Sequence, residues 1–446
     1  MITSTPNATN TKPGAATRSD TDTLPQPTEQ YVTAAEFPHE LAEEVYDPVT
    51  GESMFELSQA DGRKMIVDVL GSDRPNHVFR PLKSDLLAKG RLLLPTGSED
   101  YGCTADLVGG IRTHLRRHLV LPGDDENTVL YYVLFSWLFD RFQTAPYLRF
   151  IGDLGTGKSR ALKVVGDLCY KPFKVSGCAS MSPIFRSLEE FGGCTLVMDE
   201  VDFFVRSEAH QEMMSMLRVG FQREVGVLRS ERVGDNFVAR DFDVFGPKVL
   251  AGRNNFPDPA LESRCIRVYM QSGARLGGIP VELPPEYDAL ALTLRNQLLR
   301  WRFDHFFKPL RPVAALAIEH RLRQVYEPLA QVIDDPAALE ALRANMFALQ
   351  SEMTETRRSS FEGKVLAALL KRHGLAQAKG QVRVSVKDLA QDVQKDGGWD
   401  DPPSPRKVAT ACRGLGFTVE RASEGRYVMF APEASEEVLG RYGLAA

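Results

Sequence analysis

The residues best equipped for chemistry form one run, Gly152-Asp153-Leu154-Gly155-Thr156-Gly157-Lys158-Ser159. This is the GxxxxGKS/T pattern of a phosphate-binding loop. Glycines let successive backbone N–H groups curl around phosphate oxygens, and the start of the following helix adds partial positive charge. Lys158 is expected to reach the β and γ phosphates of a nucleoside triphosphate, and Ser159 to ligate Mg²⁺. A strand-like apolar run, Tyr147 to Ile151, precedes the loop and a helix-like run, Arg160 to Cys169, follows it. That context is what the motif requires.

A second reactive group stands downstream. Cys194 to Met198 is a near-continuous apolar run suited to a buried parallel strand, and it ends in Asp199-Glu200. Asp199 is expected to hold Mg²⁺, largely through water, and Glu200 to polarise the attacking water. A further strand, Pro247 to Ala251, delivers Gly252-Arg253-Asn254-Asn255. A side-chain amide here would hydrogen-bond the γ-phosphate or the attacking water. Asn254 is the first choice and Asn255 the alternative, because one residue of register decides which points inward.

These groups need a frame, and the pattern between them supplies one. Pro172 to Val175 reads as a strand and Ser182 to Phe191 as a helix, so strands and helices alternate as in a parallel sheet with helices on both faces. Thr104 to His118 and Asn127 to Phe142 have helical spacing and lead into the first strand. Val225 to Arg229 and Phe237 to Phe242 flank a Gly-Asp-Asn turn and read as a hairpin carrying Arg229, Arg232 and Arg240. These arginines either meet nucleic-acid phosphates or keep an exposed edge soluble.

Length and composition describe an ordinary soluble chain. It has 446 residues and a net charge of −5, so any DNA contact must come from a local basic surface. The six cysteines form no CxxC pair and read as buried thiols in a reducing compartment. His114 and His118, a turn apart among arginines, read as a solvated basic helix face rather than a metal site. The N-terminus shows no secretory pattern, and the most apolar segment, Val129 to Phe139, is too short for a membrane span. The expectation is a cytoplasmic protein without a membrane partner.

Six regions are expected: a disordered tail over 1–30, a small β region of unassigned role over 31–90, the ATPase core over 91–283, helices over 284–357, a C-terminal domain over 358–432 and a tail over 433–446. In the C-terminal domain the order is helix, strand, helix, helix and two-stranded wing, which looks like a winged helix. Ser404 caps its third helix and Pro405 occupies the first helical position. Arg406, Lys407 and Arg413 lie on that helix and are candidates for DNA phosphates, with Arg421 and Arg426 on the wing.

The order of phosphate loop, Asp-Glu strand, Asn-bearing strand and Ser263-Arg264-Cys265 resembles an AAA+ ATPase core. The triplet is similar to the Ser-Arg-Cys motif of clamp loaders and to the corresponding element of minichromosome-maintenance helicases. More broadly, Leu93 to Met270 resembles helicase-like replication ATPases of mobile elements. The resemblance implies ATP with Mg²⁺ as the nucleotide, a helical lid over 284–357, and Arg264 acting as a finger in a neighbour's site. It therefore implies a homo-oligomeric ring, a hexamer being favoured, with DNA as partner. Arg321 is the lid arginine chosen by the same resemblance, and the hairpin resembles one that lines the channel of such helicases. Its tip offers Arg232 where those helicases carry a lysine.

Overall fold

The computed structural model describes residues 27–59, 61–72, 74, 76–123, 125–176, 180–199, 208–233, 236–271, 279–313, 318–376, 380–397 and 400–444. Glu200 lies outside the described residues, as does Cys178. The chain divides into two compact units, 1–85 and 86–446.

In the first unit, seven strands are β1 (Thr28–Val32), β2 (Ala34–Phe37), β3 (Glu40–Asp47), β4 (Glu52–Gln59), β5 (Lys64–Val67), β6 (Leu70–Gly71) and β7 (His77–Pro81). They form an antiparallel sheet of order β2-β3-β4-β5 and a second sheet of order β1-β7-β6. Ala42, Phe55, Leu57 and Leu70 make the core. Strand β1 begins inside the segment expected to be tail. Its parallel pairing with β7 and the Glu29–Arg80 ion pair at 2.5 Å supply what its poor apolar content does not.

The second unit opens with α1 (Asp85–Ala88), α2 (Thr104–His118) and α3 (Asp125–Ser136). Val129 to Phe135 are all buried, which makes α3 a core helix. The central sheet comprises β8 (Tyr147–Ile151), β9 (Pro172–Ser176) and β10 (Thr195–Asp199), with α4 (Lys158–Gly166) and α5 (Met181–Glu190) between them. After α6 (Glu208–Val219) and the hairpin β11 (Val227–Val233) and β12 (Asn236–Phe242) come β13 (Lys248–Gly252), α7 (Pro259–Glu262) and β14 (Cys265–Tyr269).

These five strands are parallel in the order β14-β8-β13-β10-β9. Strand β13 thus lies between the strand that feeds the phosphate loop and the strand that ends in Asp199. In register, Gly252 stands beside Ile151 and Asp199 beside Ser176, so the carboxyl ends share one edge. Ligands of open α/β sheets bind outside such an edge. This is a mixed α/β architecture consistent with a P-loop core.

The remaining elements are α8 (Tyr287–His305), α9 (His320–Ala330), α10 (Pro336–Ser359), α11 (Phe361–Leu375), β15 (Val382–Ser385), α12 (Val386–Gly397), α13 (Pro405–Gly414), β16 (Val419–Ala422), β17 (Gly425–Phe430) and α14 (Glu436–Arg441). Strands β15, β17 and β16 form an antiparallel sheet packed with α11, α12 and α13 around Leu369, Leu389, Val408, Cys412 and Phe430. The expected C-terminal tail contains α14, because Leu439 is buried in this core. Among the described residues, no helix is long and apolar enough to cross a membrane.

The histidine expectation is overturned. His114 and His118 are buried, with rings 5.3 and 5.0 Å from that of Tyr287 on α8. Burial, with His118 adding a like charge, pushes the His114 pKa down to about 4. Around them, Asp167 at the end of α4 accepts from Tyr287 Oη at 3.0 Å and pairs with Lys163 at 2.8 Å and Lys174 at 2.5 Å. The expected burial is found for Cys169, Cys194, Cys265 and Cys412, whereas Cys103 is exposed.

Candidate nucleotide site

The phosphate loop bridges β8 and α4, and its backbone explains its glycines. Gly157 caps α4 at φ +87°, a conformation that L side chains rarely adopt. A Cβ on Gly152 would lie 2.4 Å from the Met270 carbonyl, so only hydrogen fits between the loop and the end of β14. Thr156 Oγ1 donates to the Asp153 carbonyl at 2.8 Å, and Lys158 Nζ donates to the same carbonyl at 2.5 Å.

Beside the loop lies a cavity of about 330 Å³, a size suited to a small ligand. Among the described residues it is lined by Leu154, Gly155, Gly157, Lys158, Ser159, Arg160, Asp199, Ala251, Gly252 and Arg253. Three strand ends therefore contribute, as the sequence implied. Ser159 and Asp199 line one space. Two hard oxygen donors beside a phosphate cradle fit Mg²⁺, which takes few protein ligands and keeps water and phosphate for the rest.

Several expected residues do not line the cavity, Gly152, Asp153 and Thr156 of the loop among them. Asn254 and Asn255 are exposed and do not line it, and the polar side chain supplied after β13 is that of Arg253. The physical reason is Arg149, which holds the Asn254 carbonyl, while Asn255 Oδ1 accepts from Tyr269 Oη at 3.3 Å. Arg321 is also elsewhere. Helix α9 is anchored ahead of β8 by a 2.8 Å bond from Thr144 Oγ1 to the Gln324 carbonyl, so it stands at the amino edge of the sheet.

Arg264 shares that edge. The Tyr147 N–H donates to the Arg264 carbonyl at 3.1 Å, which places Arg264 one strand length, about 15 Å, from the carboxyl ends. The guanidiniums of Arg264 and Arg321 lie 5.7 and 5.4 Å from the centre of the Phe221 ring. Burial, then the Arg264 charge, lowers the Arg321 pKa. Sequence reading missed Arg160 and Arg253. Arg160 lines the cavity while donating to the Pro280 and Val281 carbonyls ahead of α8. Its signal was adjacency to the loop motif, which the motif pattern does not score.

The DNA candidates separate into two groups. In the hairpin, Arg229 pairs with Glu212, and Arg240 pairs with Glu189 at 2.8 Å and Glu231 at 3.1 Å. Arg232 is exposed opposite Phe237. On α13, Arg406, Lys407 and Arg413 are exposed, and no ion pair holds them among the described residues. Ser404 Oγ accepts from the Lys407 N–H at 3.3 Å, and Lys407 Nζ lies 4.4 Å from the Phe361 ring centre. On α2, Arg112 and Arg116 pair with Glu126 and Arg117 with Glu286.

No protein-family model and no curated protein matches the chain. Among solved structures it is similar to one titled SCCmec type IV Cch, an active helicase, at 12% identity and TM-score 0.36, covering 91% of this chain and 97% of that one. It is similar to the C-terminal region of NrS-1 at 10% identity and TM-score 0.34, covering 87% and 96%. A full-length MCM homolog from Methanopyrus kandleri overlaps at 14% identity and TM-score 0.29, covering 85% and 73%. Overlaps of this size leave the functional argument to the site itself.

Proposed function

We propose that the chain is an oligomeric AAA+ ATPase that hydrolyses ATP with Mg²⁺ and acts as a DNA helicase or translocase in replication of a mobile element. The observation that supports this best is the meeting of Lys158, Ser159 and Asp199 in one cavity while Arg264 stands at the opposite edge of the sheet. An arginine this far from its own phosphate loop is free to serve another subunit's nucleotide, and in this reading assembly is a condition of turnover.

In this reading the loop amides from Gly152 to Ser159 and the Lys158 ammonium hold the phosphates, and Arg253 adds a cation at the end of β13. Ser159 and Asp199 hold Mg²⁺, which when bound offsets charge on the phosphate oxygens. Glu200 takes a proton from the attacking water, and the neighbour's Arg264 and Arg321 meet the charge that develops as the γ-phosphate leaves. Helix α8, whose approach meets Arg160 beside the cavity, serves in the lid, and the C-terminal module, as a winged helix, meets DNA through Arg406, Lys407 and Arg413.

A second reading is an ATP-gated DNA-binding switch or loader that does not move along DNA. The ion-paired hairpin arginines favour it, since a channel that drags DNA uses cations free to meet phosphates. ATP hydrolysis measured with and without single- and double-stranded DNA, together with strand displacement, separates the two. Stimulated turnover with displacement supports the motor. ATP-dependent DNA binding without displacement supports the switch; absence of hydrolysis overturns the motor, and DNA binding indifferent to ATP overturns the switch.

A further inference from the structure

Several charged side chains of the central sheet lie outside the nucleotide cavity, and Arg149 is the one that joins two segments with different duties. Arg149 sits at the middle of β8 and is 1% exposed, a costly place for a guanidinium unless its partners are well placed. Its Nη1 donates to Glu262 Oε2 at 2.7 Å and its Nη2 to the Asn254 carbonyl, and its guanidinium carbon lies 3.5 Å from the centre of the Phe256 ring. Glu262 Oε2 also accepts from the Phe256 N–H at 2.7 Å.

The two segments joined in this way face opposite duties. Residues 253–256 leave the carboxyl end of β13 with Arg253 on the subunit's own cavity. Glu262 ends α7, two residues before Arg264, whose Nη1 is held at 2.9 Å by the Ala260 carbonyl of the same short helix. We infer that Arg149 is a positioning residue that ties the loop beside a subunit's own nucleotide to the element that aims its finger at the neighbour. This rests on Arg264 acting in trans.

The linkage is short and sits in close-packed surroundings. When Arg253 shifts with the phosphates it meets, the Asn254 carbonyl moves, and the guanidinium that holds it moves Glu262 and α7. Packed interiors pass such displacements on rather than absorb them. Each subunit would then offer its finger according to what its own cavity holds.

The test mixes wild-type chain with an excess of carrier chains whose own cavity is disabled by Lys158→Ala. Carriers have that change alone, or with Arg264→Ala, Glu262→Gln, or the pair Arg149→Met and Glu262→Met. Turnover per wild-type chain is read, with co-assembly followed by sedimentation. The plain carrier should sustain turnover and the Arg264→Ala carrier should lower it about a hundredfold or more. The Glu262→Gln carrier should co-assemble and lower turnover about tenfold, as expected of a misplaced group. The double-Met carrier removes both charges of the Arg149–Glu262 pair together and leaves neither buried alone, so it guards against simple loss of folding, and it should show the same loss.

If the Glu262→Gln carrier sustains turnover, or the double-Met carrier restores it, the positioning role is overturned while the trans finger stands. If the Arg264→Ala carrier sustains turnover, the trans reading itself fails and the inference falls with it.

Discussion

The two edges of the central sheet are built from different kinds of contact. At the carboxyl edge, backbone amides, Lys158, Ser159, Asp199 and Arg253 surround one cavity. At the amino edge, Arg264 and Arg321 come from separate elements and share the Phe221 ring. Like charges held side by side are an arrangement that an anion relieves. In the proposed function the first edge holds phosphates and the second is brought to a neighbour's, so a single subunit carries two halves of different sites.

The largest effect expected from breaking this contrast is at the carboxyl edge. Lys158→Ala should lower ATP turnover by about two to three orders of magnitude in a phosphate-release assay. Next, Arg253→Ala should cost about tenfold or more in turnover, while Asn254→Ala costs less than about threefold. The reverse order would put the amide, not the guanidinium, at the phosphate.

A smaller effect separates the two basic surfaces. Arg406→Ala with Arg413→Ala should weaken DNA binding and reduce the slope of log affinity against log salt by about 1 to 2. Arg229→Ala with Arg240→Ala should leave that slope near the wild-type value, because those guanidiniums already face Glu212, Glu189 and Glu231. A slope change from the hairpin pair alone would move the DNA contact there.

A separate effect, on stability rather than turnover, concerns His114, beneath the phosphate-loop helix. Its folded pKa of about 4 lies below the ordinary value of 6.5, so on acidification the unfolded chain takes up the proton first. Stability is therefore lost as pH falls from 6.5 towards 4, by up to about 3 kcal/mol. Thermal unfolding over that range should show a shallower fall for His114→Leu than for the wild type.

The carboxyl edge was legible in the sequence because each of its parts is local. The loop motif, the apolar run ending in Asp199 and the Lys248–Gly252 strand each announce themselves within a few residues. Helix α2 has the very bounds its periodicity gave. What failed depended on distant partners. The solvated-face reading of His114 and His118 missed Tyr287 on α8, and Asn254 was displaced by Arg149 in another strand. Arg321 was assigned by resemblance, but the bond from Thr144 decides where its helix stands. The tail boundary failed for the same reason, since β1 depends on its pairing with β7.

The central claim is that a neighbour completes each site. Lys158→Ala and Arg264→Ala chains, each inactive alone, are mixed in equal amounts and assayed for ATP turnover. The account predicts recovery to up to about a quarter of wild-type turnover, the share of randomly paired interfaces that unite an intact loop with an intact finger. A mixture as inactive as its components, with co-assembly verified, would contradict it.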